Sequence, residues 1–435
     1  MANGVSLVDF ITSQRWYGSK TRDVSEASVV DSVTLRDNLE LQLVEVTFDT
    51  GTHETYQLLT DHGGYDALAD EEQALELLRL IRAGETVAAQ DGQVQFAQLE
   101  GHAGRGEPQE ARLIVSEQSN TSVVFDEELI LKVFRRLEAG INPELELLHF
   151  LTEAGFENIA QLAGWYAYSG LQMEATLGIA QHYIAGAEDG WERALDAIVA
   201  DDEVFLDTLR RLGEITGEMH TVLGGNTTDT NFCPEQTSAE SLGLLTATVD
   251  EEIEQVFASL PEDEPDLEPI RGRGEEVRER LRLLTNIGGA GRVIRNHGDF
   301  HLGQTLWAGG DWVLLDFEGE PARSLPERRR KRSPLRDVAG MLRSFAYAAS
   351  AARVLRDVDA PLDWEERART EFLDGYRHTV DLSLVPSGAA MDKLLRVFEL
   401  EKAVYELSYE LNNRPDWVRI PVAGIARMLD EEVPV

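Results

Sequence analysis

The chain has 435 residues, of which 43% are hydrophobic, so it can bury the cores of two or three packed units and is not globally disordered. Its 79 acidic residues against 40 basic ones give a net charge of −39, which disfavours nucleic acid and anionic membrane surfaces as partners. No apolar run approaches the roughly 18 residues of a membrane span. A signal-peptide pattern is absent, and the single cysteine, Cys233, precludes an internal disulfide, so we expect a cytoplasmic protein.

The charge also suggests adaptation to salt. In molar salt the Debye length falls to about 3 Å, which screens the repulsion between acidic side chains. We therefore expect a halophilic protein. A merely acidic protein without any salt requirement is the alternative.

Residues 1–105 are predicted to be mainly β, after a short helix. The segments 39–48 and 54–59 alternate between apolar and polar residues, as half-buried strands do. A helix is predicted over 71–83, and a strand at 94–99 leads into the glycine-rich stretch 101–106, which we take as a boundary.

Residues 106–185 resemble a small nucleotide-binding sheet. Strands are predicted at 111–115, 122–125 and 129–134, with a polar turn over 118–122. Pro143 opens a helix, since proline favours the first helical turn. Residues 181–186 then form a connecting segment. From 186 to 435 the chain is predicted to be largely helical.

Two segments, His297–Gln304 and Val313–Glu318, carry the strongest chemical signal. Asp299 and Gln304 are five residues apart, as the Asp and Asn are in the kinase catalytic loop, and Asp316 follows an apolar run as the kinase metal-binding Asp does. We predict Asp299 as the base that takes the proton of a substrate hydroxyl. Gln304 and Asp316, with Glu318 as a further ligand, are predicted to hold Mg²⁺.

Lys132 lies inside a predicted buried strand, where an unpaired ammonium group would be unfavourable. We therefore predict that it binds the nucleotide phosphates. Its predicted partner is Glu146, with Glu144 as second choice. The polar turn is predicted to cover the phosphates, although a plain hairpin turn has the same pattern; its residues are Gln118, Ser119, Asn120, Thr121 and Ser122. Backbone groups of Gln181, Tyr183 and Ile184 are assigned to adenine, although an ordinary connection looks no different.

A sugar site is predicted on the helix near the C-terminus. Lys402, Glu406 and Glu410 are four residues apart and share one face, beside Tyr405 and Tyr409. Carboxylates next to aromatic rings suit a sugar, although an amphipathic helix with salt bridges has the same pattern. The predicted substrate residues are His301, Glu406, Tyr409, Glu410, Arg414 and Trp417.

Two further features are open to more than one interpretation. His297 and His301 flank Asp299, and we expect them to order the loop rather than bind zinc, because no further Cys/His cluster supports a zinc site. The basic run 328–332 could meet phosphates, an acidic surface or only solvent.

Several blocks resemble the bacterial maltokinase family: 14–20, 117–122, 297–307, 315–323, 333–345 and 398–417. The resemblance implies an α+β, bilobal protein-kinase-like fold of the aminoglycoside phosphotransferase type, with a β-rich cap subdomain and a mainly helical C-lobe. It further implies ATP and Mg²⁺ as cofactors and phosphorylation of maltose to maltose 1-phosphate, with trehalose synthase as a metabolic partner. By motif position it implies that Asp337 is the structural aspartate that steadies the catalytic loop.

Two alternatives to a maltokinase stay open. One is a kinase of the same fold that acts on glucosamine or another sugar. The other is an inactive kinase-like protein that regulates trehalose synthase, which would have lost Lys132, Asp299, Gln304 or Asp316. All four residues are present.

Overall fold

The computed structural model describes residues 6–102, 104, 106–114, 119–171, 173–226, 228–261, 263–284 and 290–430. The chain folds as two compact units, residues 1–186 and 187–435. Within the described residues, no helix combines the length and the apolar character that crossing a membrane requires.

Among its described residues, the first unit contains three α-helices and eleven strands. The helices are α1 (Leu7–Thr12), α2 (Glu71–Ala83) and α3 (Pro143–Glu153). The strands are β1 (Val24–Arg36), β2 (Leu39–Phe48), β3 (His53–Thr60), β4 (Thr86–Ala88), β5 (Gly92–Gln98), β6 (Ala111–Ile114), β7 (Asn120–Phe125), β8 (Leu129–Phe134), β9 (Arg136–Leu137), β10 (Leu162–Gly170) and β11 (Glu174–His182).

These strands form two antiparallel sheets, in the orders β1-β2-β3-β9 and β4-β5-β10-β11-β8-β7-β6. The apolar residues of β2 are its buried ones, and Val44, Val46 and Phe48 pack with Trp16 and Tyr17 in one cluster. Strand β5 pairs with β10, so the larger sheet takes strands from both sides of residue 105. The boundary expected there is therefore not a break between sheets.

The helices predicted in this unit are explained by their caps. The Asp70 side chain accepts from the Gln73 amide at the start of α2, and Gly84 ends that helix with φ +64°. Asn142 caps α3 in the same way, with Pro143 in the first turn.

In the second unit, the part that the structure describes contains nine α-helices and five short strands. The helices are α4 (Gly190–Ala200), α5 (Glu203–Gly224), α6 (Ala239–Ala258), α7 (Gly274–Leu284), α8 (Leu325–Arg328), α9 (Leu335–Arg356), α10 (Trp364–Thr379), α11 (Ala389–Asn413) and α12 (Arg419–Asp430). The strands are β12 (Glu188–Asp189), β13 (Glu235–Gln236), β14 (Arg292–Val293), β15 (Thr305–Ala308) and β16 (Asp311–Leu314).

Close helix packing positions the site in this unit. A Cβ atom on Gly213 of α5 would lie 2.0 Å from the Phe372 carbonyl oxygen of α10, so glycine lets these two helices touch. A second apolar core joins α6, α7, α11 and α12. Helices α5, α9 and α11 supply His220, Asp337 and Lys402, which lie around the segment 297–304.

Candidate active site

The segment that carries Asp299 is fixed by one buried aspartate. Asp337 accepts hydrogen bonds from the backbone amides of His297 (2.8 Å) and Gly298 (3.0 Å), and His220 Nε2 lies 3.1 Å from its carboxylate. Burial alone would raise the pKa of Asp337, but the hydrogen bond with His220 and the nearby histidines outweigh burial and lower it. Asp337 is therefore an anion that receives two consecutive backbone amides of the loop.

The two predicted segments are joined to each other. His297 Nε2 lies 2.8 Å from the Leu315 carbonyl oxygen, and the Leu315 amide donates to the Gln304 carbonyl oxygen at 2.9 Å. Asp316, the next residue, adopts φ +58°, a left-handed conformation that is uncommon for a residue other than glycine. Strained backbone of this kind is found at functional sites.

The side chains expected to bind Mg²⁺ lie together. Gln304 Nε2 donates to Asp316 Oδ2 at 3.1 Å, and the carboxylate oxygens of Asp316 and Glu318 lie within 4.8 Å of each other. Carboxylate and amide oxygens are the ligands that Mg²⁺ prefers, so this donor set fits the ion. His301 lies within electrostatic range of both Asp299 and Asp316, and burial lowers its pKa, so it stays neutral at pH 7.

Asp299 is paired with a lysine of α11. Lys402 Nζ donates to Asp299 Oδ1 at 3.1 Å and to Glu320 Oε1 at 2.8 Å. Burial opposes the charge on Lys402, but the two carboxylates raise its pKa well above the usual range. Burial also opposes the charge on Glu320, yet Lys402 and Arg323 lower its pKa to about 2. Asp299, Lys402 and Glu320 therefore form one partly buried network of charged groups.

The sequence did not assign this role to Lys402 or Glu320. Lys402 is one of only five lysines in the chain, which was the one available signal. Its contact with Asp299 spans 103 residues, and no local pattern predicts such a contact.

A cavity of about 310 Å³ opens beside this network. Its wall includes His301, Lys402 and all five predicted substrate residues of the C-terminal region; these five are Glu406, Tyr409, Glu410, Arg414 and Trp417. Tyr405, predicted beside this face of the helix, adds aromatic surface, as do Trp191 and Tyr347, which the sequence did not assign to substrate. Rings with hydroxyl and carboxylate groups between them suit a sugar.

Each glutamate of the cavity is matched by an arginine. Arg343 donates to Glu406 Oε2 through Nε (3.0 Å) and Nη2 (2.7 Å). Arg414 donates to Glu410 at 2.9 and 2.6 Å, and the Tyr347 hydroxyl donates to Glu410 at 3.2 Å. Burial raises the pKa of Glu406, and Arg343 opposes that rise. The two pairs fix the glutamates and cancel their charge.

In the first unit, Lys132 of β8 is paired with a glutamate of α3. Its Nζ donates to Glu144 Oε2 at 2.8 Å, and the Glu144 side chain is only 1% exposed. This corrects the order of preference in the sequence analysis, which placed Glu146 first. The two glutamates are two positions apart, so the helix directs them to different sides.

The predicted phosphate-covering turn is partly a strand. Asn120, Thr121 and Ser122 belong to β7, and Ser122 pairs with Lys132 across the sheet. Thr121 is buried, and its hydroxyl accepts from Arg135 Nε at 2.8 Å, so it is not a loop hydroxyl. The β-branched run that continues through Val123 and Val124 favours the strand. Ser119 precedes β7, and Gln118 lies outside the described residues.

The residues assigned to adenine lie at the end of β11. Gln181 is in the strand, opposite Ile130. The Tyr183 amide donates to the Glu128 carbonyl oxygen at 2.8 Å, so that donor is already used inside the unit. Ile184 follows in the connecting segment.

Comparison with known proteins agrees with these observations. Residues 110–373 match the phosphotransferase enzyme family, and residues 10–76 match the maltokinase N-terminal cap domain. A glucosamine kinase of Streptacidiphilus jiangxiensis is 28% identical over 351 residues, 77% of each chain. One from Mycolicibacterium smegmatis is 28% identical over 331 residues, which cover 74% of this chain and 80% of that protein.

Solved structures show the same fold. A glucosamine kinase in complex with glucosamine, ADP and inorganic phosphate superposes with a TM-score of 0.73 at 21% identity, covering 98% of this chain and 100% of that one. A second crystal form gives a TM-score of 0.74 at 22% identity. The expected α+β, kinase-like fold is thereby confirmed. The chain belongs to the phosphotransferase enzyme family and carries a maltokinase N-terminal cap domain.

Proposed function

We propose that the protein is an ATP-dependent sugar kinase, with maltose as the first candidate acceptor and its anomeric hydroxyl as the nucleophile. The observation that carries the proposal is the position of the cavity: Lys402 lines it and also donates to Asp299. A hydroxyl of a sugar bound there would have the proposed base beside it.

The proposed reaction needs one proton acceptor and one phosphoryl donor. The sugar oxygen forms a bond to the γ-phosphorus of ATP, the bond from that phosphorus to the ADP oxygen breaks, and the hydroxyl proton passes to Asp299. Mg²⁺ would neutralise charge on the phosphates, and Gln304, Asp316 and Glu318 are the residues that would hold it. Lys132, held by Glu144, is the proposed phosphate-binding lysine.

The charge of the cavity favours a neutral sugar. Because Arg343 and Arg414 cancel Glu406 and Glu410, a hydroxyl-rich sugar finds fixed donors and acceptors, whereas an ammonium group finds little net negative charge. Maltose is such a neutral sugar. An enzyme that makes maltose, such as trehalose synthase, is then the proposed metabolic partner, in the cytoplasm.

Glucosamine is the second candidate, and the named relatives favour it. Maltose, glucosamine, glucose and trehalose are tested separately with Mg·ATP in high KCl, reading ADP release and the phosphorylated product. We expect the highest kcat/KM with maltose. A higher kcat/KM with glucosamine would select the second candidate, and no ADP release with any sugar would contradict the proposed function.

Glu410→Gln separates the two acceptors by charge. The substitution removes one negative charge and leaves Arg414, which is 47% exposed, to solvent. For an ammonium sugar KM should rise more than for a neutral one, because only the ammonium group gains repulsion. Glu371→Gln, in an ion pair of α10 and α5 away from the cavity, is the matched control.

A further inference from the structure

A second cavity in the C-terminal unit has no place in the proposed reaction. It has a volume of about 350 Å³ and lies between α6, α11 and the segment 323–336. Its wall carries more basic than acidic side chains, in a strongly acidic chain: Arg323, Arg330, Lys331, Arg332 and Arg336 against Glu252, Glu327 and Glu401. It therefore includes much of the basic run that the sequence analysis left open.

Arg332 is a partly buried cation of this wall. Its backbone is fixed by reciprocal hydrogen bonds with Ile294, at 2.8 and 2.9 Å. Its guanidinium makes no hydrogen bond or ion pair within the ranges that the structure describes, whereas Arg336 donates to Glu401 and Lys331 to Glu235. Burial, Arg336 and Arg323 lower the pKa of Arg332 to about 10, which leaves it charged at neutral pH.

An unused acceptor lies on the same wall. Glu401 is 7% exposed; its Oε1 accepts from Arg336 at 2.8 Å, but its Oε2 is buried and finds no partner among the described residues. A buried carboxylate oxygen without a donor is unfavourable. A ligand that offers oxygens to Arg332 and a hydroxyl group to Glu401 would satisfy both groups.

We propose that this cavity is a second, regulatory binding site for a phosphate-class anion that carries a hydroxyl donor: hydrogen phosphate or a sugar phosphate. Guanidinium groups match the geometry of phosphate oxygens. Sulfate lacks the hydroxyl at neutral pH and should bind more weakly. The proposal for this second site does not depend on whether the acceptor sugar is maltose or glucosamine.

The cavity is linked to the proposed base by consecutive ion pairs. Arg323 lines it and donates to Glu320, Glu320 accepts from Lys402, and Lys402 donates to Asp299. A narrower cavity that shares Arg323, Arg332 and Arg336 reaches Asp299 and Lys402. An anion bound to Arg323 would weaken the ion pair between Arg323 and Glu320. The ion pair between Glu320 and Lys402 would then become stronger, and the position of Asp299, which Lys402 also contacts, would change.

The test is equilibrium dialysis at constant ionic strength, with labelled inorganic phosphate and a hexose 1-phosphate in separate titrations. Saturating ADP fills the nucleotide site throughout. We expect about one anion per chain to stay bound, and the tighter of the two titrations identifies the source. Arg332→Gln should weaken binding at least about tenfold, whereas Arg353→Gln, on the exposed part of α9, should not change it.

Two further variants keep the test decisive if Arg332→Gln does not fold. Arg330→Gln, at an exposed position on the cavity wall, should weaken binding by a smaller factor. Glu401→Gln replaces the acceptor with an amide, so the preference for phosphate over sulfate should disappear. If neither anion binds in the presence of ADP, or Arg332→Gln and Arg330→Gln both bind as the wild type does, the proposal is overturned.

The regulatory effect is tested separately, by measuring kcat. Phosphate should change the kcat of the wild type at saturating ATP and sugar, and the change should be lost in Arg332→Gln. An equal response of the two proteins would overturn the coupling to Asp299.

Discussion

Lys402 Nζ lies 3.1 Å from Asp299 Oδ1 and 2.8 Å from Glu320 Oε1. The proposed base of this phosphotransferase is therefore held by a cation from a helix that is distant in the sequence. Such a cation fixes the direction of the carboxylate, which a base needs before the substrate arrives.

We expect Lys402→Met to lower kcat at least about tenfold, because Asp299 loses its orienting partner and Glu320 its neutralising one. The KM for ATP should change little. Steady-state kinetics and a thermal melt separate the two effects. Lys393→Met, near the N-terminal end of α11, is the control. Full activity of Lys402→Met in a folded protein would show that Asp299 does not depend on this contact.

Asp316→Ala should weaken the binding of Mg·ATP at least about tenfold, since it removes a carboxylate that we assign to the ion. The affinity for ATP measured without Mg²⁺ should fall less. Calorimetry with and without the metal makes the comparison, and Asp359→Ala, whose side chain is 82% exposed, is the control. An unchanged Mg·ATP affinity would place the metal elsewhere.

The acid stability of the protein should depend on Glu320. Its pKa in the folded protein is about 2, below the ordinary value of 4.5. Its carboxylate therefore contributes stability that is fully present above pH 4.5 and is lost as the pH falls through about 2. Glu320→Gln should lower the free energy of unfolding at pH 7 by a few kcal/mol at most.

The same variant should lose less stability than the wild type between pH 4.5 and 2. Urea unfolding at a series of pH values measures this, with the exposed Glu366→Gln as control. Parallel curves for the wild type and Glu320→Gln would contradict the assignment.

Salt should stabilise the fold. With a net charge of −39, raising KCl from about 0.1 M to about 1 M shortens the Debye length from about 10 Å to about 3 Å and screens the repulsion among the carboxylates. We expect Tm to rise over this range and not to rise equally in glycerol of the same osmolality. A Tm independent of KCl would support the alternative of an acidic protein without a salt requirement.

Local patterns predicted most of the fold. The helix over 71–83, the helix that Pro143 opens and the alternating strand 39–48 were predicted from short-range features, and all three elements are present. Helix α5 begins at Glu203, because Asp202 caps it by accepting from the Val204 amide.

The site was predicted only where its residues are close in sequence. The joined segments 297–304 and 313–318 follow from spacing, but the pairs Lys402–Asp299 and Arg343–Glu406 depend on how α9 and α11 pack. The choice between Glu144 and Glu146 failed for a similar reason, since the sequence does not show which side of α3 meets β8.

The replacement of Asp299 by asparagine tests the central claim most directly. Asp299→Asn keeps the shape of the side chain but removes the proton acceptor. We predict that kcat for the best sugar falls by about 10²–10⁴-fold, while the dissociation constant for Mg·ATP stays within about threefold of the wild type. Near-normal turnover in the folded Asp299→Asn protein would contradict the account.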